Sequence, residues 1–328
     1  MVNLVWLQGA SDTGCTVSFL NAEQPDVVQM MRKFGLNIAY HPTISPASGT
    51  EVIGILNHFA RGSDRLDILV VEGAVQLGPD GTGNYCLIGE KPFKDIVQEL
   101  TRVAQYTVAV GTCASFGGIP AIGSNPTQAT GLQFHKNKKG GLLGASYVSA
   151  AGLPVINISG CPAHPDWIVQ TLEAALLGKL DNLQLDEYQR PMDFYGEVAH
   201  QGCPRNEYFE YKMSSKAFTE PGCLYMYLGC KAPFVYSDCN KRLWNRQSSC
   251  TRAGAPCIGC VQPNFPEETL PFFEFKQLVA QGIRRTIFYM LSCVTLKFAS
   301  PKRLGATKPA LGCIKDACHL VSMKFGRR

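Results

Sequence analysis

Five short apolar runs recur through the first half of the chain: LVWLQG, LNIAYHP, LDILVVEG, YTVAVGTC and VINISG. Each closes on Gly, Pro or Cys, and none alternates cleanly between apolar and polar residues. That is the pattern of strands buried on both faces, as in a parallel sheet. Between the runs lie helix-like stretches such as PDVVQMMRKF and PFKDIVQELTRVAQ, the second opening with a proline in its first turn. Alternation of this kind predicts an α/β, flavodoxin-like doubly wound parallel sheet over residues 1–180.

Ligand sites in such sheets lie at the carboxyl ends of the strands. Cys15, Cys113 and Cys161 all fall there, and Glu72 in VVEGA ends a further strand on the same rim. A single cysteine at a strand end reads as a buried hydrophobe. Three on one edge, next to glycines that let the backbone approach closely, read as ligands instead.

At 328 residues the chain exceeds what one core usually supports, so a second domain is expected over 185–328. Regular alternation stops there, Pro and Gly become frequent, and seven cysteines crowd between Cys203 and Cys260. A loop-rich stretch with so little to bury is expected to fold around metal. Soft thiolates select zinc, copper(I) or iron–sulfur clusters. CIGC at 257–260 alone does not choose between zinc and iron–sulfur. HQGC at 200–203 has the same spacing with histidine in one position.

The net charge of +5 is spread without a polybasic run before the terminal KFGRR, which excludes nucleic acid as an expected partner. No leader pattern follows Met1. The apolar stretch TIFYMLSCVTL is about half the ~20 residues a spanning helix needs. A cytoplasmic chain without a transmembrane anchor is therefore expected, its 14 cysteines serving as thiolates and not as disulfides.

In order, the second half runs HQGC, PGCLYMYLGCKAP, DCN, Cys250 and APCIGCVQPNFP, after the WLQG strand, VVEGA, VGTCASFGG and SGCP of the first half. This series resembles the small, electron-transferring subunit of nickel–iron hydrogenases over all but roughly the last 60 residues. The resemblance implies three iron–sulfur clusters leading away from a nickel–iron centre in a separate large subunit. Carried over position by position, a proximal cluster takes Cys15, Cys113 and Cys161. A medial one takes Cys239, Cys250, Cys257 and Cys260, where many relatives have proline near the Cys250 position and a three-iron cluster. A distal one takes His200, Cys203, Cys223 and Cys230. Cysteines and His200 thus supply eleven of the twelve donors that three 4Fe–4S cubanes need.

The missing donor belongs to the proximal site. The family has a cysteine three residues before Cys15, and this chain has Asp12 there. Asp12 is then an oxygen ligand to iron, harder than a thiolate and more open to exchange. Locally, Ser11-Asp12-Thr13 ahead of TVSFL also fits a helix N-cap. In that case the fourth iron binds water or is lost. Oxygen-tolerant relatives carry two extra cysteines around this cluster, and the matching positions here are Gly14 and Gly118. Cys223 and Cys230 stand one residue farther apart than the family usually has them. Glu72 resembles a family glutamate near the proximal cluster, with a proton or hydrogen-bonding role, or else is a solvent-facing strand-end acid. Trp167 and Phe116 are candidates for packing the proximal site, core packing being the simpler reading. Cys86, Cys293, Cys313 and Cys318 are left without a role.

The resemblance implies oxidation of H2 to protons and electrons, with the electrons relayed to an acceptor protein or quinone that the sequence does not identify. Two other readings use the same residues: a hydrogen sensor coupled to a signalling partner, and a non-redox scaffold held by structural zinc. The assembly expected is a heterodimer with the large subunit, or a dimer of heterodimers.

Overall fold

A computed structural model describes residues 1–267 except Thr219. Cys293, Cys313, Cys318, the helical pattern beginning at EETLPFF and the apolar stretch at 286–296 lie outside the described residues or run out of them. Five parallel strands form one sheet: β1 Val2–Gln8, β2 Leu36–Tyr40, β3 Ile68–Glu72, β4 Tyr106–Val110 and β5 Ile156–Ile158. Their spatial order is 2-1-3-4-5, the flavodoxin-like order, with its topological switch between β1 and β3. The expected fold class is therefore observed.

Side chains of successive strand residues leave on opposite faces, and here both faces are covered. Leu4, Trp6, Val70 and Val108 pack against α1 (Gly14–Leu20), α2 (Val27–Phe34) and α6 (Pro165–Leu176). Val5, Leu7, Leu69 and Val71 pack against α3 (Thr50–Ala60), α4 (Phe93–Val103) and, at Ala114, the short α5 (Thr112–Phe116). Double coverage is why the strands read as continuous apolar runs.

Local signals set the helix ends. In α2 the Asp26 carboxylate accepts the Gln29 N–H at 2.7 Å, Arg32 and Lys33 occupy the last turn, and Gly35 closes it at φ 70°. In α6 Pro165 takes the first turn, and the His164 ring nitrogen Nδ1 accepts the Asp166 N–H at 3.1 Å.

Beyond α6 only short helices remain among the described residues, including α7 Met192–Tyr195, α8 Asn206–Glu210 and α9 Tyr225–Leu228. Phe194, Tyr195, Val235 and Val261 from this stretch enter the core on the α6 face of the sheet. Side chains bonded to carbonyls fasten the CIGCV loop over the carboxyl ends of β4 and β5. Ser159 Oγ donates to the Val261 carbonyl at 2.9 Å, and Arg190 Nη1 reaches the same oxygen at 3.0 Å.

Candidate metal centre

The rim residues singled out in the sequence converge. The loop after β1 carries Asp12 and Cys15, β3 ends in Glu72, and the turns after β4 and β5 carry Cys113 and Cys161. Burial pushes the Cys15 thiol well up, and the neighbouring Glu72, Cys113 and Cys161 add to the rise. Cys113 is pushed up to about 12 by burial, then by Cys161, with Asp12 contributing. Cys161 rises through burial and through Asp12. All four donors thus lie within electrostatic reach on one rim. Thiols held this far up give up their protons to a metal, so loading the site releases protons.

Close backbone approach fits a bulky sulfur-bound group. Gly111 adopts φ +90°, and a Cβ on it would stand 2.7 Å from Cys15 Sγ. At Gly118, φ +51°, a Cβ would stand 2.8 Å from Cys113 Sγ, and at Gly14 it would stand 2.9 Å from Asp12 Oδ1. Gly14 and Gly118 thus each stand directly against one of the rim side chains.

Asp12 is exposed, and its Oδ1 accepts the Gly14 N–H at 2.9 Å in a tight turn. The N-cap position of α1 is Thr13, at φ 65° with no side-chain cap, and Asp12, one residue earlier, bonds the N–H of the first helical residue. Oδ2 has no hydrogen-bond partner among the described residues.

Glu72 is 1% exposed, which corrects the solvent-facing alternative. Its Oε1 accepts the N–H groups of Cys15 (3.0 Å) and Thr16 (3.2 Å) and the Ser11 hydroxyl (3.1 Å). Oε2 accepts the Trp6 indole N–H at 3.1 Å and the Thr16 hydroxyl at 2.5 Å. The carboxylate therefore caps the first turn of α1 from a neighbouring strand, where negative charge complements the helix dipole. It fixes the backbone of Cys15.

The second donor group gathers Cys239, Cys250, Cys257 and Cys260. Cys257 is raised by burial and then by Cys230, Cys260 and Cys239. Cys260 is pushed up to about 12 by burial, with Cys239, Cys250 and Cys161 adding to it. Cys250 itself is exposed. Ser237 Oγ lies 3.3 Å from Cys239 Sγ.

In the third group Cys230 is pushed up to about 11 by burial, with Cys203 and Cys223 adding. The long Cys223–Cys230 spacing is taken up by α9 and by Gly229 at φ 80°. Burial lowers the His200 pKa, so its ring is neutral, and its Nε2 is buried with no hydrogen-bond partner among the described residues. An orphaned imidazole nitrogen is what a missing metal bond leaves behind. Main-chain N–H groups of Tyr225 and Cys257 donate to Cys223 Sγ and Cys230 Sγ at 3.4 and 3.3 Å, bonds of the kind that tune cluster potentials.

The three groups touch in series. Thr112, beside Cys113 of the first, donates its hydroxyl to the Cys260 carbonyl of the second, and Cys257 donates its N–H to Cys230 Sγ in the third at 3.3 Å. Among the described residues no three His, Cys, Asp or Glu side chains close on a single point. All eleven described cysteines are free of disulfides. Cys86 packs instead beside the α3–α4 core.

Trp167 is buried in the same core cluster as Cys15, and its indole donates to Asp238 Oδ1 at 2.7 Å, beside Cys239. Phe116 is core, edge-on to Phe134 at 5.8 Å and to Tyr188 at 5.9 Å. Sequence reasoning missed Thr112, whose hydroxyl accepts the Gly160 N–H at 2.9 Å and donates to the Cys260 carbonyl at 2.5 Å. It joins the first and second groups, and only its place beside Cys113 in VGTC hinted at it.

Two family models match the chain. The first is described as NADH ubiquinone oxidoreductase, 20 Kd subunit, over residues 13–175. The second describes the C-terminal part of the NiFe/NiFeSe hydrogenase small subunit, over 195–273. The F420 non-reducing hydrogenase II small subunit of Methanosarcina mazei is 41% identical over 305 residues, covering 85% of this chain and 78% of its own. The periplasmic NiFeSe hydrogenase small subunit of Desulfomicrobium baculatum is 34% identical over 286 residues, covering 82% and 86%. A crystal structure of the reduced, active NiFeSe hydrogenase from that organism superposes with a TM-score of 0.73 at 33% identity, over 83% of this chain and 98% of that one. An actinobacterial-type NiFe-hydrogenase from Ralstonia eutropha H16 gives 0.75 at 28% identity, over 94% of each chain.

Proposed function

The chain belongs to the small subunits of nickel–iron hydrogenases, which pair with a large subunit and carry iron–sulfur clusters, and we propose that it relays electrons from H2 oxidation through three of them. The observation that carries this reading is the serial linkage of the three donor groups, through the Thr112 hydroxyl on the Cys260 carbonyl and then the Cys257 N–H on Cys230 Sγ. In this proposal Asp12, Cys15, Cys113 and Cys161 hold the proximal cluster. Cys239, Cys250, Cys257 and Cys260 hold the medial one, and His200, Cys203, Cys223 and Cys230 the distal one. Bound clusters supply one-electron carriers.

The chain's own residues do the rest. Glu72 fixes the Cys15 backbone, Thr112 fastens the proximal turn to the medial loop, and N–H groups aimed at sulfur favour the reduced, more negative clusters. Asp12, exposed on the rim of the separate chain, lies where a large subunit would cover it. The division at 180–185 separates the sheet with the proximal site from the loops with the other two. Location in the cytoplasm, an unanchored heterodimer and an acceptor at the distal end belong to the same proposal. Among the described residues no helix is long and apolar enough to cross a membrane.

Turnover of the purified heterodimer with H2 and a viologen dye is the test. Fast dye reduction with bleaching of the brown cluster absorption supports the relay. Bleaching at turnover orders of magnitude slower fits a sensor, and a colourless, zinc-rich protein contradicts both.

A further inference from the structure

Arg205 lies in the turn after His200, two residues past Cys203, and its main-chain N–H donates to Cys203 Sγ at 3.4 Å. Its side chain leaves that turn and crosses two others. Nε donates to the Thr251 carbonyl at 3.1 Å, and Nη1 donates to the Gly222 carbonyl at 2.7 Å and, at 3.4 Å, to that of Glu220. Thr251 follows Cys250, and Gly222 precedes Cys223. One guanidinium therefore holds backbone one residue from a medial donor and one residue from a distal donor. Cys250 itself is exposed, while Ser249 and Thr251 on either side are buried, and the Thr251 carbonyl that Arg205 holds is the first backbone acceptor after the thiol.

We propose that Arg205 is the positioning residue that couples the medial and distal sites, clamping the Cys250 and Cys223 loops together and setting a fixed cation beside the distal cluster. The inference rests on the three-cluster reading above. A planar fork can serve three carbonyls at once, whereas a lysine ammonium is a single point on a flexible stem. A cation beside a cluster favours its reduced, more negative form and so raises its midpoint potential. If the Cys250 loop comes loose, an oxidised medial cubane with charge 2+ can release Fe2+ and leave a neutral three-iron cluster. Ferricyanide then takes one electron from that cluster and makes it visible by EPR.

The experiment is an EPR-monitored potentiometric titration, with iron analysis, of the anaerobically purified heterodimer as wild type, Arg205→Gln and Arg205→Lys. In Arg205→Gln the distal midpoint moves to more negative potential, and a ferricyanide-dependent three-iron signal appears. In Arg205→Lys the midpoint stays near wild type, because the charge remains, while the three-iron signal still appears. A residue that only held the fold together would lose iron in both variants without a charge-dependent shift.

Wild-type midpoints in Arg205→Gln, or equal shifts in the two variants, overturn the role of the charge. Full four-iron medial occupancy in Arg205→Lys overturns the clamp, and decides that point even if Arg205→Gln does not fold. A wild-type heterodimer without iron–sulfur signals overturns the three-cluster reading itself, before any variant is compared.

Discussion

Asp12 and Glu72 are two carboxylates on one rim with opposite situations. Asp12 is exposed with one oxygen unpartnered, and Glu72 is buried with both oxygens taken. In Asp12→Cys the proximal iron gains a fourth thiolate, so its Mössbauer signals change while medial and distal signals stay; unchanged proximal signals would remove Asp12 from the ligand set. In Glu72→Gln an amide N–H2 faces donors that need an acceptor. Leaving a buried donor unpaired costs roughly 1–3 kcal/mol, which a drop in the melting temperature of the heterodimer checks. The sequence placed both residues on the rim, because strand ends are legible from apolar runs. It could not show that Glu72 is buried, since its partners Trp6 and Thr16 stand some 60 residues away in the chain. Asp12 became a ligand candidate only by position within a family pattern.

Helices and turns divide into those that carry the site and those that do not. Gly111 lies between β4 and the Cys113 turn, and Gly111→Ala would force a Cβ into positive φ and onto Cys15 Sγ. The expected outcome is loss of the proximal EPR signal, with medial and distal signals retained. Asp26 caps α2 far from that rim, so Asp26→Ala should cost about 1 kcal/mol in thermal stability and leave every cluster signal as in wild type. Strands, α2 and α4 were readable because apolar periodicity and helix-start signals are local. The loops after residue 185 were not. Their placement comes from single side chains reaching distant carbonyls, such as Arg190 and Ser159 on Val261, and no periodicity records that.

Across the whole molecule, two buried histidines link folding to acidity. Burial lowers His41 and His164 to about 4, so both are neutral in the fold. The unfolded chain, with its histidines near 6.5, binds protons that the native state refuses, so stability falls as pH drops from above 6.5 toward 4. Each contributes roughly 3 kcal/mol over that window. Melting temperatures between pH 7.5 and 5 should fall less steeply in His41→Gln than in wild type; equal slopes would mean His41 titrates normally.

On the same scale, the three donor groups are linked one to the next, and the account stands or falls on their being occupied by iron. The most direct measurement is EPR of the purified heterodimer, oxidised and then reduced under H2, with iron and zinc quantified on the same sample. The account predicts no three-iron signal when oxidised, three mutually broadened four-iron signals when reduced, and roughly twelve cluster irons per heterodimer. A zinc-loaded protein without these signals, or a reduced sample with signals from one cluster only, would contradict it.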